Sequence, residues 1–316
     1  MKLVKTLTIA LILFPLVVGA ETDVKPIKIA ALLKTSSNPY FQLMWEGIKR
    51  ESDVLGLNVE LFWPDKESNF EFQYDFLKSK AQEYDVLILS PSNPGGVVPY
   101  LPTIKRADTK IILLDLSLNN LPTNAKDEDY FDVFLGTDNE GGGRLAARYG
   151  KQFLISKRYP RVVILGGFPA QMSIPGRTMM FEEEMRLFNP NTIFYKFTAN
   201  YDRKMASSVV STNLGAFMNS DLIFCANDHM ALGVIDALSA KKEKLPPIIG
   251  YDSVKEAQQA IMEGKMAASI VQFPSKMGSE AVKAALALLK KEKVERKILI
   301  GPEITVRKIQ IETIKP

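Results

Sequence analysis

Carboxylate, amide, guanidinium and aromatic side chains stand just after the apolar runs of this chain, and together they suit recognition of a hydroxylated small molecule. Lys34-Thr35-Ser36-Ser37-Asn38-Pro39-Tyr40-Phe41 follows the first run, and Asp115 ends the run at 110–114. Arg177 heads a helical stretch beyond the run at 161–165, and Asn200-Tyr201-Asp202 follows the run at 192–197. Asn227, Tyr251-Asp252 and Gln272 sit at the ends of the next three. A sugar hydroxyl both donates and accepts, so planar carboxylate, amide and guanidinium groups each engage two neighbouring hydroxyls in fixed geometry. Aromatic faces cover the C–H face of a ring and exclude water. Taken singly, Asn38 and Asn227 also suit helix capping, and Tyr40 and Phe41 suit a core; the collective placement is what points to a ligand.

The apolar runs themselves alternate with longer amphipathic stretches. Runs at 27–33 (IKIAALL), 58–63, 85–89 (DVLIL), 110–114 (KIILL) and 133–135 are expected strands, with helices over 39–55, 70–82 and 96–106, the last interrupted by Pro99 and Pro102. The pattern then restarts, with helices at 143–156 and 177–188 and strands at 161–165, 192–197, 222–225, 248–250 and 267–271. Continuous rather than alternating hydrophobicity means that both sheet faces are covered, as in a parallel sheet. Repeated strand–helix–strand order gives doubly wound α/β architecture, and two successive sets give two similar lobes. Ligands in such sheets sit beyond the carboxyl ends of the strands, which is where the polar residues above fall.

Residues 1–20 are set aside as a secretory signal peptide: Lys2 and Lys5 precede an apolar run from 6 to 18, and Val18-Gly19-Ala20 suits cleavage. The run carries Pro15 and is short for a membrane-spanning helix. The absence of a cysteine there argues against a lipoprotein, so a periplasmic location is expected. The formal charge of +4 falls to +2 once Lys2 and Lys5 are removed, which gives no electrostatic reason for a nucleic-acid partner. Cys225 and His229 are the single cysteine and histidine, so no intrachain disulfide, no zinc site of the usual ligand count and no metal or cofactor dependence is expected. Gly141-Gly142-Gly143 resembles a phosphate loop only in composition, lacking its Lys-Ser/Thr ending. Asp138 suits a helix cap and 127–129 a solvated loop, and no Ser–His–Asp arrangement forms around His229.

The stretches SNPYF (37–41), GTDNEGGGRLA (136–146), YDR (201–203), FCANDHMALG (224–233), IGYD (249–252) and AASIVQFP (267–274) resemble the type I periplasmic sugar-binding proteins, the ribose-binding group above all. That group is itself similar to the effector domain of lactose-repressor-type regulators. The resemblance spans the mature chain in order. It implies ligand contacts from Asn38, Tyr40, Phe41, Asp115, Arg177 (ahead of Phe181), Tyr201, Asn227, Asp252 and Gln272. Where the ribose-binding pattern has arginine after the fourth-strand aspartate, this chain has Leu116. That departure implies an Asp115 without its usual cationic neighbour, a less polar pocket edge and a ligand other than ribose. Trp45 and Trp63 fall near the mouth in this alignment, with a helix-face core role better for Trp45.

The expected organisation is two lobes joined by about three hinge crossovers: 21–138 plus 274–303, and 139–273 plus 304–316. The expected function is capture of a small polar ligand, a sugar, by a monomeric, non-enzymatic receptor that hands it to the permease of an ATP-driven importer. The alternative is a ligand sensor that signals to a membrane histidine kinase or chemoreceptor.

Overall fold

The computed structural model describes residues 26–118, 121–123, 126–167, 175–239 and 245–307; residues 1–20, the expected signal peptide, lie outside these. In chain order the first set is β1 (Ile29–Leu32), α1 (Pro39–Leu55), β2 (Val59–Phe62), α2 (Phe70–Ser79), β3 (Val86–Leu89), α3 (Leu101–Arg106), β4 (Lys110–Leu114) and β5 (Val133–Thr137). The second is α4 (Asn139–Gly150), β6 (Arg161–Gly166), α5 (Met180–Phe188), β7 (Ile193–Thr198), α6 (Arg203–Thr212), α7 (Leu214–Met218), β8 (Leu222–Cys225), α8 (Asp228–Ser239), β9 (Ile248–Asp252), α9 (Lys255–Met262) and β10 (Ala268–Val271). The chain then adds α10 (Pro274–Leu289), β11 (Lys297–Ile300) and β12 (Glu303–Val306).

Two sheets result, ordered β11-β5-β4-β3-β1-β2 and β12-β10-β9-β8-β6-β7. The two orders repeat the same winding, and every pairing is parallel except β10 with β12. In each sheet the winding reverses direction, at β1–β3 and at β6–β8, and such switch points leave a crevice beyond the strand ends. The chain passes between sheets three times, after β5, after β10 and after β11.

Both faces of each sheet are covered, which is why the strands read as unbroken apolar runs. Along β1, Ile29 and Ala31 enter the core under α1 and α10, while Ala30 and Leu32 enter the core on the opposite face. Along β8, Ile223 and Cys225 face one core, Leu222 and Phe224 the other. Trp45 and Trp63 both pack, half-buried, against the first-lobe core.

The structure corrects several boundaries. The stretch from 96 turns without helix until Leu101, because Pro102 fits only the first helical turn and Asn93 instead closes a tight turn on the Gly96 N–H. α2 ends at Ser79 and a 3-10 turn covers Ala81–Glu83. α4 begins at Asn139, four residues before the expected start, because Asp138 caps it by accepting from the Gly141 N–H at 2.9 Å. A π-helical turn over Pro175–Met179 precedes α5. β11 and β12 carry no strand signal strong enough to be read from the sequence, being short and lying at sheet edges.

Helices α1 and α10 touch backbone to backbone. A Cβ on Gly47 would lie 1.9 Å from the Ser275 carbonyl oxygen, and one on Gly278 would lie 2.2 Å from that of Met44. Gly47→Ala and Gly278→Ala should therefore each destabilise the protein by about 1–3 kcal/mol in denaturant titration. Gly215→Ala in α7, where a Cβ meets nothing within 4 Å, should be neutral or slightly stabilising.

Candidate functional site

One cavity of about 1020 Å³ opens between the two sheets at their carboxyl ends, and all nine residues singled out in the sequence line it. From the first lobe come Asn38, Tyr40, Phe41 and Asp115; from the second come Arg177, Tyr201, Asn227, Asp252 and Gln272. The backbone bends sharply to present them. Asp115 (φ 69°), Asn200 (50°), Tyr201 (61°) and Asp252 (108°) all adopt left-handed conformations, as do the adjacent Ser253 and Phe273. Non-glycine residues avoid this region, and its use concentrates where a site requires it.

Arg177 organises the second-lobe wall. Its side chain is nearly enclosed, 5% exposed. Nε donates to Asn139 Oδ1 at 2.6 Å, Nη1 to the Ala226 carbonyl at 2.8 Å and Nη2 to Gln272 Oε1 at 2.9 Å. The guanidinium lies 3.9 Å from the centre of the Tyr251 ring and 3.9 Å from Asp252 Oδ1. Burial works against its charge, but the phenols of Tyr251 and Tyr201 and the carboxylates of Asp252 and Asp115 more than compensate. The three consecutive glycines belong to this packing. A Cβ on Gly142 would lie 2.0 Å from the Tyr251 hydroxyl and one on Gly143 2.2 Å from the Arg177 carbonyl oxygen.

Gln272 stands at a crossing between the lobes. Its Oε1 accepts from Thr137 Oγ1 of the first lobe at 2.8 Å as well as from Arg177, and its Nε2 donates to Asp252 Oδ1. Burial pushes the Asp252 carboxyl up to about 7, although Arg177 and the Gln272 hydrogen bond pull the other way; Asp115 across the cleft adds to the rise. Beneath it, Asp228 is fully buried and accepts from Ser269 Oγ at 2.7 Å and the Val254 N–H at 2.9 Å. Burial, and then the charge of Asp252, hold its carboxyl well above the usual range. Asp228 holds the turn after β9 in place; the sequence offered no signal for that beyond its position beside Asn227.

The capping and core roles coexist with the cavity. Asn38 Oδ1 caps α1 by accepting from the Tyr40 N–H at 3.0 Å, and Asn227 Oδ1 accepts from the Met230 N–H at 2.9 Å. Tyr40 and Phe41 meet edge to face at 5.1 Å within the first-lobe core. The Tyr40 hydroxyl donates to Asp115 Oδ1 at 3.2 Å, and burial, then the Asp115 charge, keep it protonated well above the usual range.

Leu116 requires a correction. It does line the cavity, but it is only 3% exposed and does not leave Asp115 without a cation. Lys34 Nζ, reaching from the end of β1 past β3, sits 2.6 Å from Asp115 Oδ2. Position 34 takes over the charge expected at 116, and that pocket edge is polar. Lys34 was visible after the first run; its pairing with Asp115 depends on strand order. The mouth adds Glu67 and Phe70, and Ser92 follows β3. Trp45, Trp63 and His229 are not among the lining residues. Burial, then Arg203, lower the His229 pKa, and burial pushes the Cys225 thiol up.

The family described as periplasmic binding protein domain matches residues 29–293. The chain is 26% identical to the ribose import binding protein of Salmonella typhimurium, over 88% of this chain and 90% of that one. It is 27% identical to the D-allose-binding periplasmic protein of Escherichia coli, over 84% and 85% of the two chains. A solved ABC transporter periplasmic solute binding protein from Actinobacillus succinogenes, with bound D-allose, superposes with a TM-score of 0.80. That structure is 26% identical and covers 89% of this chain and 98% of its own.

The raised carboxyl of Asp252 gives a pH signature. Between about pH 4 and 7 the folded state holds a proton that the unfolded state has released, so stability falls as pH rises through that window. In Asp252→Asn the ligand-free melting temperature should fall less between pH 4 and pH 7 than in the unsubstituted protein. Identical pH profiles by calorimetry would remove Asp252 from this account.

Proposed function

This chain belongs to the periplasmic binding protein domain family, and we propose that it is a solute receptor that encloses a sugar between its lobes and presents the closed complex to the permease of an ATP-driven importer. The carrying observation is that both lobes deliver planar hydrogen-bonding groups, paired with charges of both signs, onto one cavity. The names of the relatives, import and sugar-binding proteins, support the ligand class and the periplasmic location after removal of residues 1–20. The role is binding without catalysis, by a single chain.

In this mechanism the first lobe comprises 21–138 plus 274–303 and the second 139–273 plus 304–316, in keeping with the strands each sheet holds but for Glu303, the first residue of β12, which pairs in the second sheet. Each lobe of the open form presents half of the site. Asn38, Tyr40, Phe41 and Asp115 hold one side of the sugar; Arg177, Tyr201, Asn227, Asp252 and Gln272 hold the other. Closure is a hinge motion at the crossovers, and the ligand favours the closed state only because it contacts both lobes at once. Arg177 enters this step already oriented by three protein hydrogen bonds, so little side-chain freedom is lost on binding.

A thermal-shift screen over pentoses, hexoses, polyols and nucleosides tests the reading, since a tight ligand raises the melting temperature. With the ligand identified, Arg177→Ala and Asp252→Ala should each weaken binding about ten- to hundredfold in calorimetry. Truncation strands desolvated hydroxyls at about 1–3 kcal/mol each. Unchanged affinity in both variants, or no melting shift with any sugar, would contradict it.

A further inference from the structure

The cavity of about 1020 Å³ stands at the top of the range, about 300–1,000 Å³, of pockets that enclose drug-sized ligands, and a single hexose leaves much of it unfilled. Of the exposed large apolar side chains among the described residues, two line it: Phe70, 38% exposed, and Met205, 42% exposed. Neither belongs to a hydrophobic core, and they come from opposite lobes. Phe70 opens α2 after β2, and Met205 lies in the first turn of α6 after β7. β2 and β7 are the outermost strands at the same end of the two sheet orders, so the pair holds equivalent places in the two walls. Helix caps fix both: Asn69 Oδ1 accepts from the Phe72 N–H at 3.3 Å, and Asp202 Oδ1 from the Met205 N–H at 2.7 Å.

The loop beyond β3 is tied to the start of α2. Gln73, one turn on from Phe70, is fully buried; its Oε1 accepts from the Ser92 N–H at 2.9 Å and its Nε2 donates to the Ser90 carbonyl at 2.9 Å. Presented in this way, Ser92 lines the cavity while 4% exposed, and its hydroxyl has no hydrogen-bond partner among the described residues. A buried hydroxyl is costly unpaired, and rotation of χ1 between staggered wells is enough to turn it to a ligand.

We propose that Phe70, Met205 and Ser92 form an outer subsite and that the ligand is a glycoside, a sugar in the inner cleft joined to a second ring whose apolar face Phe70 and Met205 cover. This inference rests on the sugar-receptor reading above and concerns the part of the cleft beyond the nine residues. An aromatic ring and a thioether pack well on the flat face of an aromatic aglycone or of a second sugar, whose C–H groups make one side apolar. Ser92 takes an oxygen or hydroxyl at the edge of that ring. Because the two apolar groups stand on opposite lobes, the second ring touches both walls, and contact with both is what closure requires.

The test uses calorimetry on the mature protein with the tightest monosaccharide from the screen, both anomers of its methyl and phenyl glycosides, and disaccharides that carry it at the non-reducing end. A phenyl glycoside or a disaccharide should bind at least tenfold tighter than the free sugar, and the methyl glycosides should not; which of the two gains tells an aromatic aglycone from a second sugar. Phe70→Ala and Met205→Ala should each lower the ratio of glycoside to free-sugar affinity at least fivefold, and Ser92→Ala should lower it in the same direction. Free sugar binding as tightly as every glycoside would overturn the inference, because the cleft would then close on one ring alone. An equal loss for every ligand in Phe70→Ala and Met205→Ala would also overturn it, leaving those side chains to meet each other when the lobes close. No binding of any sugar or glycoside to the unsubstituted protein would instead overturn the receptor reading itself, and the inference with it.

Discussion

The enclosed guanidinium of Arg177 is the constraint around which the site is built. Burying a cation is tolerable only when its donors and charge are met. Here Asn139 at the start of α4, the Ala226 carbonyl at the end of β8, and Gln272 after β10 each take one N–H, and the Tyr251 face takes the flat side. Meeting those demands brings together segments from across the second half of the chain. It also explains one local oddity: glycines at 142 and 143, where any side chain would collide with Tyr251 or the Arg177 backbone. Lysine could not replace it, since a single ammonium cannot span three acceptors in one plane while lying on a ring.

The same logic extends across the lobes. Gln272 accepts from Arg177 and from Thr137 of β5 through one oxygen, so the second-lobe cluster is tied to the first lobe at a crossover. Lys34 and Asp115 make the corresponding pair on the opposite wall. Polar groups held this firmly against one another need no rearrangement to meet a ligand, and preorganisation of that kind gives affinity by lowering the ordering cost of binding.

Much of this was legible in the sequence, and the exceptions share a cause. β1, β4, β6 and β8 could be read because two covered faces demand continuous apolar residues, and Asn38, Asp115 and Gln272 because parallel strands send their carboxyl ends to one side. β11 and β12 escaped because edge strands half-exposed to solvent need no such run. Lys34 looked like any charged residue after a strand; only the order β4-β3-β1 brings it to Asp115. Asp228 had no role legible in the sequence, because its partners Val254 and Ser269 lie distant along the chain. The glycine triplet read as composition because the groups it admits, Tyr251 and Arg177, are neighbours only in space. In each case the missing information was a long-range contact, which a local pattern does not carry.

The central claim is that a sugar holds the two lobes together. Small-angle X-ray scattering of the mature protein, with and without a saturating sugar identified by its melting shift, tests this most directly. The account predicts a smaller radius of gyration in the bound state, because ligand contacts from both walls favour closure. A sugar that raises the melting temperature yet leaves the scattering profile unchanged would contradict it, since such a ligand would be held by one lobe alone.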